Sequence, residues 1–261
     1  MFSSLWIAKT GLDAQQTEMD VISNNLANAS TTGFKTSRAN FQDLMYQNEG
    51  QPGGQTTQQT ETSTGMLLGT GVKVVGTEKL FTQGAITQTG NSLDVAVQGN
   101  GFLQVSLPDG TVAYTRDGSL QEDSTGQLVT SDGYPVVPAI TLPANVNSVT
   151  IGTDGTVSAT SNGSTKPTTL GVIQLANFVN PAGLESMGQN LYLETESSGT
   201  AETGQPGVNG MGTLSQGSLE SSNTDVVEEM VNMIEAQRTY EMNSKSISAV
   251  DDMLQFVINK T

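Results

Sequence analysis

A seven-residue spacing of apolar side chains at both ends of the chain constrains its fold more than any other feature. Between Asn223 and Asn259, Val226, Met233, Tyr240, Ile247 and Leu254 recur every seventh position. Ala236, Val250 and Val257 follow members of that row by three residues, and Met230 and Ile258 follow by four. Side chains at these offsets stack on one face of an α-helix, as in a coiled coil. No Pro or Gly interrupts the segment, so a continuous helix at ~1.5 Å per residue reaches roughly 50 Å. Glu229, Gln237, Asn243, Ser244 and Asp251 break the stripe, which makes it an imperfect zipper. Such a face cannot be buried by its own helix and requires a partner.

A partner is available at the opposite end. Leu5, Leu12, Met19 and Leu26 share the seven-residue spacing, with Ala8 and Ile22 three residues behind members of the row. Ser3 or Ser4 can cap the start, and Gly33, after Asn28-Ala29-Ser30-Thr31-Thr32, can end the run. Two readings are open: the helices form the core of an ordinary globular domain, or they pair within a chain and then pack against other copies. Chain ends fray unless tied down, which favours the second. A helix of roughly 35 Å also covers only part of one of ~50 Å, leaving apolar surface for other subunits.

The middle of the chain is written in a different code. From Gln47 to Gly65 it is Gln-, Thr- and Gly-rich, a composition that buries little and predicts a mobile linker in preference to a contact arm. From Gly71 onward apolar residues alternate, as in Leu93, Val95 and Val97. Turn signals punctuate them: Asp109-Gly110, Asp117-Gly118, Thr125-Gly126, Asp132-Gly133, Asp154-Gly155 and Asn162-Gly163. Such pairs tolerate the positive φ of tight hairpins and predict a meandering antiparallel sheet. The expected fold is therefore α+β, with paired, coiled-coil-like terminal helices and an inserted antiparallel β domain. The expected division is 1–35 with 221–261 as a helical assembly domain, 36–70 as an extended linker or stiffening stretch, and 71–220 as a β-rich outer domain.

Composition removes most chemistry. The chain has no cysteine and no histidine, hence no disulfide framework, no Ser-His-Asp triad and no thiolate or imidazole metal site. With 26 acidic and 10 basic residues the formal charge is −16, which repels phosphate backbones and anionic lipid. Residues 1–35 carry −1 (3 acidic, 2 basic) and residues 222–261 carry −4 (7 acidic, 3 basic), so the interior holds the remaining −11. Near-neutral ends suit packing, and an acidic middle suits water. No apolar run approaches the ~20 residues of a membrane span, and the N-terminus does not read as a cleavable signal. Asp117, Glu122, Asp123 and Asp132 lie in turns with no aromatic platform, and Gly99-Asn100-Gly101 lacks the residues of a phosphate loop. The expected catalytic, cofactor and metal assignments are all none.

Several longer strings resemble the rod and hook axial proteins of the bacterial flagellum. They include Ser4-Leu5-Trp6-Ile7-Ala8-Lys9-Thr10-Gly11-Leu12 and Ile22-Ser23-Asn24-Asn25-Leu26-Ala27-Asn28. Leu93-Asp94-Val95-Ala96-Val97-Gln98-Gly99-Asn100-Gly101-Phe102 and Tyr114-Thr115-Arg116-Asp117-Gly118 follow in the middle. Gln216-Gly217-Ser218-Leu219-Glu220-Ser221-Ser222-Asn223 and Ala236-Gln237-Arg238-Thr239-Tyr240-Glu241 complete the order. The opening and the length are most similar to the distal-rod branch. The only departure noted is Leu103, where a second Phe is commoner in the family.

The resemblance implies a structural subunit, self-assembling helically into a rigid hollow tube across the periplasm that transmits torque from motor to hook. It also implies export through the flagellar type III apparatus without signal cleavage. Implied neighbours are other copies, proximal-rod and hook proteins and the L/P-ring bushing, with no nucleic acid and no membrane span. It further credits the stretch at Gln47–Gly65 with stiffening the rod, against the linker reading. The expected packing interface is Leu5, Leu12, Met19, Ile22, Leu26, Val226, Met230, Met233, Tyr240, Ile247, Val250, Leu254 and Val257. The family signature falls on Asn24, Asn25, Leu26, Ala27, Asn28, Gln237, Arg238, Tyr240 and Glu241. The rival from another class is a secreted or surface-attached β-rich binding protein whose helices serve only as an oligomerisation stalk, and an enzyme is a distant third.

Overall fold

The computed structural model describes residues 2–50, 55–57, 60–61, 64–143, 145–161 and 166–258, with the side chains of 2, 55–57, 60–61, 254 and 257–258 outside the description. Helix α1 spans Phe2–Ala27 and helix α2 spans Val226–Ile258, and the segments between them are strands and turns. The fold is α+β with an intervening antiparallel β domain. Both helices lie where the seven-residue rows place them, because no Pro intervenes in either. Glu228 and Glu229 occupy the first turn of α2, where carboxylates suit the positive end of the helix dipole.

The chain forms two compact units. The first comprises Met1–Leu26, Ser37–Glu78 and Val226–Thr261, and the second Ala27–Thr36 with Lys79–Asp225.

In the first unit the strand Ser37–Asp43 pairs with Val72–Lys79. Gln47–Gly50 pairs antiparallel with Met66–Leu68, and Gln55–Thr57 with Thr60–Glu61. The stretch whose composition predicts a linker thus carries a hairpin. Its threonines favour extended backbone, and ladder hydrogen bonds order it where burial cannot. Residues 51–54, 58–59 and 62–63 of that stretch lie outside the described residues.

The second unit is built on a six-stranded antiparallel sheet in the order Glu185–Gly188, Leu191–Leu193, Val112–Thr115, Phe102–Ser106, Leu175–Asn177, Glu202–Gly204. Successive side chains of a strand face opposite ways, and this sheet uses both faces. Leu103 and Leu175 enter an aliphatic cluster with Val95, Leu128 and Ile173. Their neighbours Phe102 and Ala176 enter an aromatic cluster with Tyr114, Phe178 and Tyr192. In the second cluster the rings meet edge to face, with Tyr114 and Phe178 4.8 Å apart. Three further strands, Val146–Ile151, Thr156–Ser161 and Thr168–Val172, form a separate antiparallel sheet.

The turn signals are realised at Gly110, Gly126, Gly133 and Gly155, all with positive φ. Asp109 and Asp154 accept hydrogen bonds from the backbone and hydroxyl of Thr111 and Thr156 respectively. Gly118 has a different reason to be glycine: a Cβ there would lie 1.6 Å from the Val95 carbonyl oxygen. It is a close approach of two chains, with Val95 N–H donating to the Gly118 carbonyl. Asn162-Gly163 lies outside the described residues.

Candidate assembly surface

Two contacts fix the direction of the helix pair. Asn25 Nδ2 donates to Glu229 Oε1 at 2.9 Å, and a Cβ on Gly11 would lie 3.2 Å from Asn243 Nδ2. From 25 to 11 is 14 residues backward and from 229 to 243 is 14 forward, so α1 and α2 run antiparallel. Asn25 has a second task. Its Oδ1 accepts from the Ser37 N–H at 2.9 Å and its Nδ2 donates to the Ser37 carbonyl at 2.8 Å. The side-chain amide therefore stands in for a neighbouring strand, which is why this position is asparagine and buried. Burial pushes the Glu229 carboxyl up, the Asn25 hydrogen bond opposes that, and neighbouring Glu228 adds to it.

Ile22 and Ala236 are buried. Leu5, Leu12, Met19, Leu26, Met233, Ile247 and Val250 are half-buried. Val226, Met230 and Tyr240 instead face solvent, at 42%, 52% and 38% exposure. Leu254 and Val257 are helical, but their side chains lie outside the described residues. The more sheltered row of α2 is Glu229, Met233, Ala236, Asn243, Ile247 and Val250, so two residues the sequence reads as interruptions belong to it. Glu229 is polar because it accepts from Asn25, and Asn243 packs against Gly11 of α1. A second apolar set, Val227, Val231, Ile234, Met242 and Phe256, is exposed, giving α2 more apolar surface than one partner helix covers. Of the signature residues, Leu26 and Asn28 are half-buried, Asn28 Oδ1 accepting from the Thr31 hydroxyl, while Asn24, Ala27, Gln237, Arg238 and Glu241 face outward.

The same unit carries exposed apolar side chains away from α2. Trp6 and Ile7 on α1, Met45 and Tyr46, and Met66, Leu67 and Leu68 on the hairpin are all exposed. Ser3, Trp6, Ile7, Gln47, Leu68 and Thr70 line a hollow of about 450 Å³. Exposed apolar patches of this kind are typical of protein contacts, ligand grooves and membrane-facing sites.

The second unit holds a buried ionic cluster that sequence reasoning missed. Lys35 Nζ meets Glu220 Oε1 at 2.5 Å and Arg116 Nη1 meets Glu220 Oε2 at 3.3 Å, with all three side chains out of water. Backbone groups add to it: Lys35 donates to the Thr82 carbonyl, the Gly84 N–H donates to Glu220, and Arg116 Nη2 donates to the Gly99 carbonyl. Burial pushes both Lys35 and Arg116 down, and Glu220 opposes this in each case. Gly33 makes the cluster possible. Its N–H donates to the Glu220 carbonyl at 2.8 Å, its φ is +67°, and a Cβ would sit 2.8 Å from backbone atoms of Arg116 and Asp117. Asn223 completes the lacing, accepting from the Thr36 N–H and donating to the Leu80 carbonyl and the Thr82 hydroxyl. The chain just after α1 and the chain just before α2 are thereby bound to each other. Separations of 185 and 104 residues hide the cluster from any local pattern. The available signal was the presence of Arg116 and Glu220 inside strings that resemble the flagellar axial proteins, in a chain poor in cations.

Among the described residues no group of three His, Cys, Asp or Glu is placed to hold a metal ion, and no described helix is long and apolar enough to cross a membrane.

With this geometry in place, comparison with known proteins is direct. Residues 5–35 match the family described as "Flagella basal body rod protein". Residues 96–159 match "Flagellar hook protein FlgE/F/G D1 domain", and residues 215–260 match "Flagellar basal body rod FlgEFG protein C-terminal". The chain is 57% identical over 255 residues to the flagellar basal-body rod protein FlgG of Buchnera aphidicola from Schizaphis graminum, covering 98% of each chain. It is 48% identical to FlgG of Borreliella burgdorferi, covering 99% of this chain and 98% of that one. Against FlgG of Bacillus subtilis it is 40% identical, with 99% of each covered.

Proposed function

The chain belongs to the FlgG family of flagellar basal-body rod proteins, and from that premise we propose how its two units do the work. It is a structural subunit of the flagellar rod, and its task is mechanical. Copies stack helically into a rigid hollow tube, the distal rod, which crosses the periplasm and carries torque from motor to hook. The terminal helices, 1–35 with 221–261, wall that tube. The hairpin-bearing stretch 36–70 stiffens it, and 71–220 forms its outer part. Leu5, Leu12, Met19, Ile22, Leu26, Met233, Ile247 and Val250 hold the helix pair. Val226, Met230, Tyr240, Leu254 and Val257 contribute to contacts with other copies. Proximal-rod and hook proteins meet the two ends of the tube, the L/P-ring bushing surrounds it, and the flagellar type III apparatus delivers the subunits without cleaving a signal.

One observation carries this reading. Among the described residues, 18 of the 23 exposed large apolar side chains belong to the first unit. Burying a large aliphatic side chain is worth ~1.5–3 kcal/mol, so that surface is a store of association free energy a lone subunit leaves unused. Contacts between unlike patches give filaments when their rotation does not close into a ring.

The test is a charge on the outward face of α2. Val231→Asp should leave the lone subunit folded, because that side chain is exposed, while abolishing tubes in negative-stain images and motility in complemented cells. Normal tubes built from that variant would sink the proposal.

A further inference from the structure

In the second unit, only Lys35, Lys79, Arg116 and Lys166 are cationic against 13 acidic residues. Three of those four cations nevertheless gather at one place. Lys35 and Arg116 share the single carboxylate of Glu220. Lys79 Nζ lies 5.0 Å from the Phe34 ring centre and 5.8 Å from that of Tyr192. Arg116 lies 5.2 Å over Phe102, and Phe102 packs on Phe81, Phe178 and Tyr192. A buried positive charge without its full complement of anions is costly, so this excess calls for a further negative group.

Space for one exists. A pocket of about 210 Å³ is lined by Arg116, Phe102 and Phe178, by Asn100 and Asn177, and by Val179, which is 87% exposed. Two guanidinium nitrogens of Arg116 are engaged, on Glu220 and on the Gly99 carbonyl. The third, Nε, is buried and has no acceptor. An unpaired charged donor out of water loses more than a neutral one. The two asparagines add amide donors, and ring edges present their positive rim to an anion.

We infer that this pocket is a carboxylate-binding subsite, filled in the polymer by an acidic side chain of a second copy. A carboxylate there lies beside the Arg116 guanidinium, which shares Glu220 with Lys35, and offsets the excess charge. The acidic surface of the same protein, at −16 overall, supplies such groups in abundance. The second-copy assignment rests on the rod-subunit reading, whereas the chemistry of the pocket does not.

Acetate, titrated into the soluble full chain at constant ionic strength, separates these layers. The Arg116 Nε–Hε resonance and the ring signals of Phe102 and Phe178 should shift saturably, and chloride at the same concentration should not move them. Equal responses to both salts would overturn the subsite. Val179→Glu tethers a carboxylate at the pocket without touching the ionic cluster. It should reproduce the acetate-bound shift unaided and remove the response to added acetate; an unchanged titration would also overturn the subsite. In polymer grown without acetate, solid-state ¹⁵N spectra should place Arg116 Nε at its carboxylate-bound position. Finding it at the free position would refute the second-copy occupant. Failure to polymerise at all counts against the rod reading, since the acetate titration is done on the lone subunit.

Discussion

The two units spend their apolar residues in opposite ways. Among the described residues, the β-rich unit holds 27 of the 30 buried apolar side chains and the helical unit holds three, Ala14, Ile22 and Ala236. The exposed large ones are divided the other way, with 18 in the helical unit and five in the β-rich one. One unit packs its apolar residues within the chain, with two clusters on its main sheet and a buried ionic knot. The other is a surface organised by a few polar contacts and awaiting apolar neighbours. Similar hydrophobic content therefore serves stability in one place and association in the other, and exposure decides which.

The comparison breaks most severely at Glu220. In Glu220→Gln the cations Lys35 and Arg116 stay buried without their carboxylate, a loss worth roughly 3–5 kcal/mol. Urea unfolding followed by near-ultraviolet circular dichroism of the ring cluster should register it. A variant as stable as the parent would mean that the β-rich unit does not depend on this knot.

A smaller effect is expected in alkali. Burial pushes the Tyr192 phenol up to about 12, with the Arg116 charge opposing and Glu220 assisting. Since the folded value exceeds the unfolded one, this contribution is intact below pH ~10 and lost as pH climbs towards ~12, a change of roughly 2–3 kcal/mol. Lys35, whose value is lowered, changes stability in the opposite sense, so the difference between the parent and Tyr192→Phe isolates the phenol. If both lose stability in parallel over that range, Tyr192 is not the group responsible.

The smallest change sharpens the helical side. Burial raises Glu229, so its charged form weighs on the folded state, and acidification through its pKa relieves that weight. Glu229→Gln keeps an acceptor for Asn25 without the charge. It should slow hydrogen exchange along α1 at neutral pH and flatten the gain that the parent shows on mild acidification. Faster exchange in the variant would mean the charge strengthens the bond to Asn25 by more than its burial costs.

Much of this was readable from the chain alone. A period of seven located both helices, and three Asp-Gly pairs with Thr125-Gly126 located four tight turns. Periodicity states which side chains share a face but not which molecule covers that face. That is why Met233 and Ile247 turned inward while Val226, Met230 and Tyr240 of the same predicted row did not. Polar residues in the row looked like defects, yet Glu229 and Asn243 meet particular groups on α1. The hairpin at Gln47–Gly50 and Met66–Leu68 was obscured because backbone pairing, which leaves no hydrophobic trace, orders it. Lys35, Arg116 and Glu220 escaped notice for a related reason: a charge in isolation reads as solvated surface, and only the tertiary fold removes the solvent.

The Leu80 carbonyl accepts from the Asn223 side-chain amide at 2.8 Å, so the long β-rich stretch Lys79–Asp225 begins and ends at a single doorway. A segment whose two ends share a doorway behaves as a cassette: it can be enlarged, trimmed or exchanged by grafting without re-threading the helices on either side. Lineages with longer or shorter middles can then keep one shaft-building frame, with the turns inside Lys79–Asp225 as the places for an engineer to decorate it.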